Sequence, residues 1–93
     1  MYWDIIDVRP QGNRDIGVRF ADGLEGTVTI SPAFCTGVFE ALRDDSAVMQ
    51  AMAVDGVMTW PSGLDLAPDT MYREIKASSD RRYVVGGSVR LAA

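Results

Sequence analysis

Residues 16 to 30 read Ile16-Gly17-Val18-Arg19-Phe20-Ala21-Asp22-Gly23-Leu24-Glu25-Gly26-Thr27-Val28-Thr29-Ile30, and the register of this stretch decides the fold. Ile16, Val18 and Phe20 alternate with Asp15, Gly17 and Arg19, while Leu24, Val28 and Ile30 alternate with Glu25, Thr27 and Thr29. Each run therefore carries one apolar and one polar face, the pattern of a half-buried strand. A two-residue Asp22-Gly23 loop would set Phe20 opposite Glu25 and Val18 opposite Thr27, turning the apolar faces to opposite sides of the sheet. A three-residue loop, Ala21-Asp22-Gly23, pairs Phe20 with Leu24, Val18 with Gly26 and Ile16 with Val28, and restores one apolar face. Gly23 then takes the left-handed position that follows a type I turn, which glycine fills without strain.

Before this hairpin, Tyr2-Trp3-Asp4-Ile5-Ile6-Asp7-Val8-Arg9 is rich in β-branched and aromatic residues and stops at Pro10, followed by Gly12-Asn13. It reads as a first strand. Tyr2, Ile6 and Val8 fall on one face and Trp3 and Ile5 on the other, so the strand is either covered on both faces or bulged.

After Ser31-Pro32 the period changes. Val38, Phe39 and Leu42 suit one short helix, and Ala47, Val48, Ala51 and Met52 suit another, begun at Asp44, Asp45 or Ser46 as N-cap. Acidic residues there are accounted for by capping and by the helix dipole. Ala53-Val54, Asp55-Gly56 and Val57-Met58-Thr59-Trp60 form a second hairpin around the dipeptide that type I′ turns prefer. Its residues are apolar on both faces, which implies a sheet partly covered on each side. The strand ends at Pro61, and Pro68 suits the first position of a last helix, with Met71, Tyr72 and Ile75 inward and Ala67 a poor N-cap. Residues 77–93 read as a C-terminal tail or an added edge strand, weakened by Gly86-Gly87. No internal repeat is evident.

The chain has 93 residues, 47% apolar and 24% charged, which suits one small domain with a modest core. Nine basic and thirteen acidic residues give a net charge of −4, with a pI near 4.5. That balance repels the phosphate backbone on which non-specific nucleic-acid affinity rests, so no direct nucleic-acid binding is expected, and it favours a basic partner. One cysteine, Cys35, permits no internal disulfide, and no secretory or membrane-spanning apolar run occurs. A cytoplasmic location is expected. The absence of histidine removes Ser-His-Asp and Cys-His catalysis and the usual zinc sites, and leaves Cys35 without a nearby base.

The stretch Trp60-Pro61-Ser62-Gly63-Leu64-Asp65-Leu66-Ala67-Pro68-Asp69 concentrates the remaining candidates. Asp65 and Asp69 are two oxygen donors where a hard cation needs about six. No glycine-rich phosphate loop is present. Carboxylate pairs such as Asp4 with Asp7 or Asp22 with Glu25 are indistinguishable in sequence from solvated strand edges. No catalytic residue, cofactor or metal is expected. Gly23, Pro61, Gly63 and Pro68 are read as turn residues, and Trp60, Asp65, Asp69 and Tyr72 as candidates for contact with a partner.

Taken in order, Tyr2-Trp3-Asp4-Ile5, then Val18 to Gly23, then Gly37-Val38-Phe39-Glu40-Ala41-Leu42-Arg43-Asp44, and then Trp60 to Tyr72 resemble the bacterial family called domain of unknown function 2442. The likeness covers about residues 2–76, and the Trp-Pro-x-Gly-x-Asp-Leu-x-Pro-Asp string is its most specific part. Many members have asparagine where Ser62 stands, which keeps the turn chemistry. Some members carry a C-terminal helix-turn-helix domain, for which 93 residues leave no room. The resemblance implies a small α+β domain with an antiparallel sheet and short helices. It also implies a role beside another small protein encoded nearby, as the antitoxin-like half of a two-protein module.

The expected architecture is α+β, a single domain over residues 1–76. Its small antiparallel sheet consists of two hairpins and an N-terminal strand, joined by two or three short helices. The leading function is a non-enzymatic protein-interaction domain that uses an exposed sheet edge or the surface around Trp60 and Asp65, with homo-oligomerisation open. The alternative is a small-ligand or regulatory domain with Trp60 as an aromatic platform. An enzyme would require a carboxylate pair converging in a cleft.

Overall fold

The computed structural model describes residues 1–32 and 37–85. Cys35 and residues 86–93 lie outside the described residues. The elements in chain order are β1 (Ile5–Gly12), β2 (Asp15–Phe20), β3 (Glu25–Ile30), a 3₁₀ helix (Gly37–Arg43), α1 (Asp45–Val48), β4 (Met52–Val54), β5 (Val57–Thr59), β6 (Asp65–Leu66), α2 (Pro68–Ala77) and β7 (Arg82–Val85). The class is α+β. The strands form two sheets, one ordered β1-β2-β3-β7 and the other β4-β5-β6. All pairings are antiparallel except β7, which runs parallel to β3 and pairs Thr27 with Arg82 and Ile30 with Val85.

The β2–β3 register is the one that keeps a single apolar face: Ile16 opposes Val28 and Val18 opposes Gly26. The loop closes with Phe20 N–H donating to the Leu24 carbonyl at 2.8 Å and Gly23 N–H donating to the Phe20 carbonyl at 2.9 Å, with Gly23 at φ +97°. Beside it, β1 is bulged. Its register with β2 shifts between Ile5 and Asp7, so Ile5 stays buried while Ile6 is 52% exposed.

Helix α2 packs against β3 and β7 and buries Met71, Tyr72 and Ile75. Three such side chains remove enough apolar surface from water to contribute about 1.5–3 kcal/mol each. The close approach depends on Gly26: a Cβ there would stand 2.6 Å from Ile75 Cγ2 and 2.7 Å from the Arg81 carbonyl. Pro68 opens α2, and Ala67 supplies no side-chain cap. In α1, Asp44 is the N-cap and accepts from Ser46 N–H at 3.0 Å. This helix ends at Val48, so Ala51 and Met52 do not extend it; Ala51 is buried in the connection and Met52 opens β4. Three residues of β4 pairing with β5 outcompete another turn of a helix too short to sustain itself.

The two sheets share a turn design, although no repeat is evident in the sequence. Each begins with a two-residue turn whose residues both have positive φ, Asn13-Arg14 (53° and 67°) and Asp55-Gly56 (53° and 83°). Each continues into a second turn of one design. Trp60 N–H donates to the Leu64 carbonyl at 2.9 Å, and Gly63 N–H donates to the Trp60 carbonyl at 2.8 Å with Gly63 at φ +95°, matching Phe20 to Leu24. The shared residues are only an aromatic, a glycine three positions on, then leucine and an acid: Phe20, Gly23, Leu24, Glu25 and Trp60, Gly63, Leu64, Asp65. Different strand lengths hide this correspondence in the sequence.

Candidate functional site

The four candidate contact residues do not converge on one point of the surface. Trp60 is 2% exposed and belongs to the core, with its indole Nε1 donating to the Val48 carbonyl at 3.1 Å. Its position at the exit of β5 directs the ring inward, as Phe20 is directed at the last position of β2. Pro61, Ser62 and Gly63 are exposed in the turn beyond it. Asp69 is exposed in the first turn of α2, where its carboxylate accepts from Thr70 N–H at 2.9 Å.

Tyr72 is 7% exposed and faces the first sheet's hairpin. Its hydroxyl donates to Asp22 Oδ2 at 2.5 Å and accepts from Lys76 Nζ at 3.4 Å. Tyr2 and Phe20 meet its ring edge to face, at 5.0 and 5.2 Å between centroids. The hydrogen bond from Tyr72, joined by one from Leu24 N–H, holds the Asp22 carboxyl below the usual carboxylate range. The same bond, with burial, raises the Tyr72 hydroxyl above the usual phenol range. A phenol made harder to ionise and a carboxylate made harder to protonate suit a fixed strut between α2 and the β2–β3 turn.

Asp65 lies in β6, a strand too short to register in the sequence pattern. In the second sheet Met58 is fully buried. Residues directly opposite one another share a face, so the pairs Met52 with Thr59, Val54 with Val57, and Thr59 with Asp65 set all five on the face away from Met58. Met52 is 41% exposed, Val54 is 42% exposed, Val57 and Thr59 are half-buried, and Asp65 is exposed. Cover on this hairpin is partial and uneven: Met58 is enclosed on one face, while the other keeps Met52 and Val54 exposed beside half-buried Val57 and Thr59. Ile6 adds a further exposed apolar side chain from β1, which packs against β4.

The first sheet's outer face is finished differently. Thr29 Oγ1 donates to Asp15 Oδ1 at 2.6 Å, and the Arg82 guanidinium donates to Thr29 Oγ1 at 2.6 Å and to Asp15 Oδ1 at 3.3 Å.

Arg14, which the sequence shows only as one more basic residue, is 8% exposed. Its guanidinium donates to the carbonyls of Ile30 at 2.7 Å, Leu42 at 2.6 Å and Arg43 at 3.2 Å, and to Asp45 Oδ1 at 2.6 Å. It thereby satisfies the carbonyls at the end of the 3₁₀ helix and fixes that helix to the first sheet.

Charge is divided along the chain. Residues 44–72 contain Asp44, Asp45, Asp55, Asp65 and Asp69 and neither lysine nor arginine, whereas the remainder holds eight acidic and nine basic residues. The net acidity therefore resides in the segment that forms α1, the second sheet and the start of α2. Among the described residues no group of three His, Cys, Asp or Glu side chains is placed to hold a metal ion. No helix among them is long and apolar enough to cross a membrane.

Residues 5–77 match the family model described as protein of unknown function DUF2442, and the chain belongs to that family. No curated protein and no solved structure matches it.

Proposed function

We propose that this DUF2442 chain is a non-enzymatic protein-interaction domain, the antitoxin-like member of a bacterial two-protein module. It meets a small basic partner encoded nearby, in the cytoplasm, on the outer face of β4-β5-β6. The observation that carries this reading is the exposed pair Met52 and Val54, with half-buried Val57 and Thr59 beside them on the same face and Asp65 at its border. Single exposed apolar residues are ordinary, but several on one sheet face mark an interaction surface. The buried Trp60 offers no ring face to a ligand, so no observation favours the small-ligand alternative at that residue.

Co-expression with the product of the adjacent gene tests the proposal. The two chains co-purify and this chain relieves any growth defect the other causes. Failure to co-purify together with failure to relieve toxicity overturns it.

A further inference from the structure

We infer that the outer face of the second sheet receives an amphipathic helix bearing lysine or arginine, laid across β4-β5-β6 with its basic side chains at Asp65 and Asp55. The location rests on the interaction reading above; the form and charge of the occupant follow from the edges, the width and the charge of this sheet.

The edges disfavour an added strand. The β4 side is occupied, since β1 packs against it and Ile5 N–H donates to the Gly56 carbonyl at 2.9 Å. On the far side β6 has two residues, and Pro68, which has no N–H to offer a ladder, follows one residue after it. Strand addition needs a run of free backbone groups, and neither side supplies one.

The face itself is suited to a helix. Three strands spaced about 4.8 Å apart make a strip about 10 Å wide, which matches the roughly 10 Å diameter of one α-helix. Met52 and Val54, two positions apart on β4, with Val57 and Thr59 beside them on β5, present a short apolar strip to the apolar stripe of such a helix.

Charge selects the sign of the occupant. Of the five aspartates in residues 44–72, Asp44 caps α1, Asp45 pairs with Arg14 and Asp69 accepts from Thr70. Asp55 and Asp65 have no hydrogen-bond or ion-pair partner among the described residues, and no basic residue lies between Arg43 and Arg73 to neutralise them. A basic helix gains attraction at both positions, while an acidic one meets unscreened repulsion.

The test titrates the full chain with an amphipathic leucine-lysine peptide of about 15 residues, long enough to form a helix on contact, and with its leucine-glutamate counterpart. Backbone amide shifts are followed by NMR. The lysine peptide shifts the amides of Met52 to Thr59 and of Asp65, and the glutamate peptide does not. Asp65→Lys weakens the lysine peptide roughly tenfold, as reversal of a contacting charge does, and Val54→Glu removes binding. Shifts centred elsewhere, equal binding of the glutamate peptide, or indifference to Asp65→Lys overturn the inference. Co-purification of the adjacent gene product that survives both Asp65→Lys and Val54→Glu also overturns it, and leaves the interaction function standing at another surface. A lysine peptide that maps to this face while the adjacent gene product never binds supports the helix site and removes the two-protein proposal.

Discussion

The first and second sheets use the same two turns and differ in what happens to their outer faces. In the first, β7 joins β3 and Arg82 closes a polar row with Asp15 and Thr29. In the second, no further strand pairs with β6 among the described residues, and Met52, Val54 and Asp65 stay exposed. The first-turn positions differ too: Gly56 occupies in the second sheet the left-handed position that Arg14 occupies in the first. An arginine there accepts backbone strain because its guanidinium reaches acceptors on β3, the 3₁₀ helix and α1. One sheet is finished internally and the other only in part, and the proposed contact surface lies on the second.

The comparison breaks most severely at the aromatic residues before the second turns. Phe20→Ala and Trp60→Ala each cost about 3–5 kcal/mol, a large part of the stability of a small domain, and thermal unfolding of the two variants shows losses of the same order. If Trp60→Ala were near neutral, the two sheets would not share one core. Arg14→Met comes next, at roughly 3 kcal/mol by denaturant unfolding, because it strands the buried carbonyls of Ile30 and Leu42. Gly23→Val and Gly63→Val should then cost similar amounts, about 1–3 kcal/mol each, since a Cβ meets nothing within 4 Å at either site and only the positive φ resists it. A melting temperature unchanged in one and lowered in the other would show that the two turns are not equivalent.

Tyr72→Phe gives a smaller, pH-dependent effect. The Asp22 carboxyl lies below its unfolded range, so its contribution is present above that range and is lost as pH falls below about 4. The Tyr72 hydroxyl lies above its unfolded range, so its contribution is present below that range and is lost as pH rises above about 10. The stability difference between wild type and Tyr72→Phe is therefore widest between these limits and narrows beyond each. The smallest effect on stability belongs to Val54→Ser on the open face, within about 0.5 kcal/mol, measured together with its loss of partner binding.

Much of the first half was legible because parity constrains it. One slip in the β2–β3 loop would have turned Val18 and Val28 to opposite faces, so only one register survived. Asp55-Gly56 and Pro68 were equally plain, since positive φ and a missing N–H are residue-level requirements. Parity failed where strands are two or three residues long: β6 offers too few positions to alternate, and Asp65 therefore read as part of a bend. Arg14 was illegible for another reason. Its acceptors among the described residues come from β3, the end of the 3₁₀ helix and α1, and no local pattern reports that a side chain will be enclosed by distant carbonyls. Which face would keep Met52 and Val54 exposed was not legible, because hydrophobicity states a preference for burial and not how much cover this chain supplies.

Thr29 and Arg82 are 53 positions apart. During synthesis, β3 is complete long before the strand that will occupy its edge has been made. Its Thr27-Val28-Thr29-Ile30 rim, β-branched throughout, is then an aggregation hazard in the nascent chain. The demand falls on translation as much as on equilibrium stability: β7, made 53 positions later, is the strand that retires the rim from intermolecular pairing.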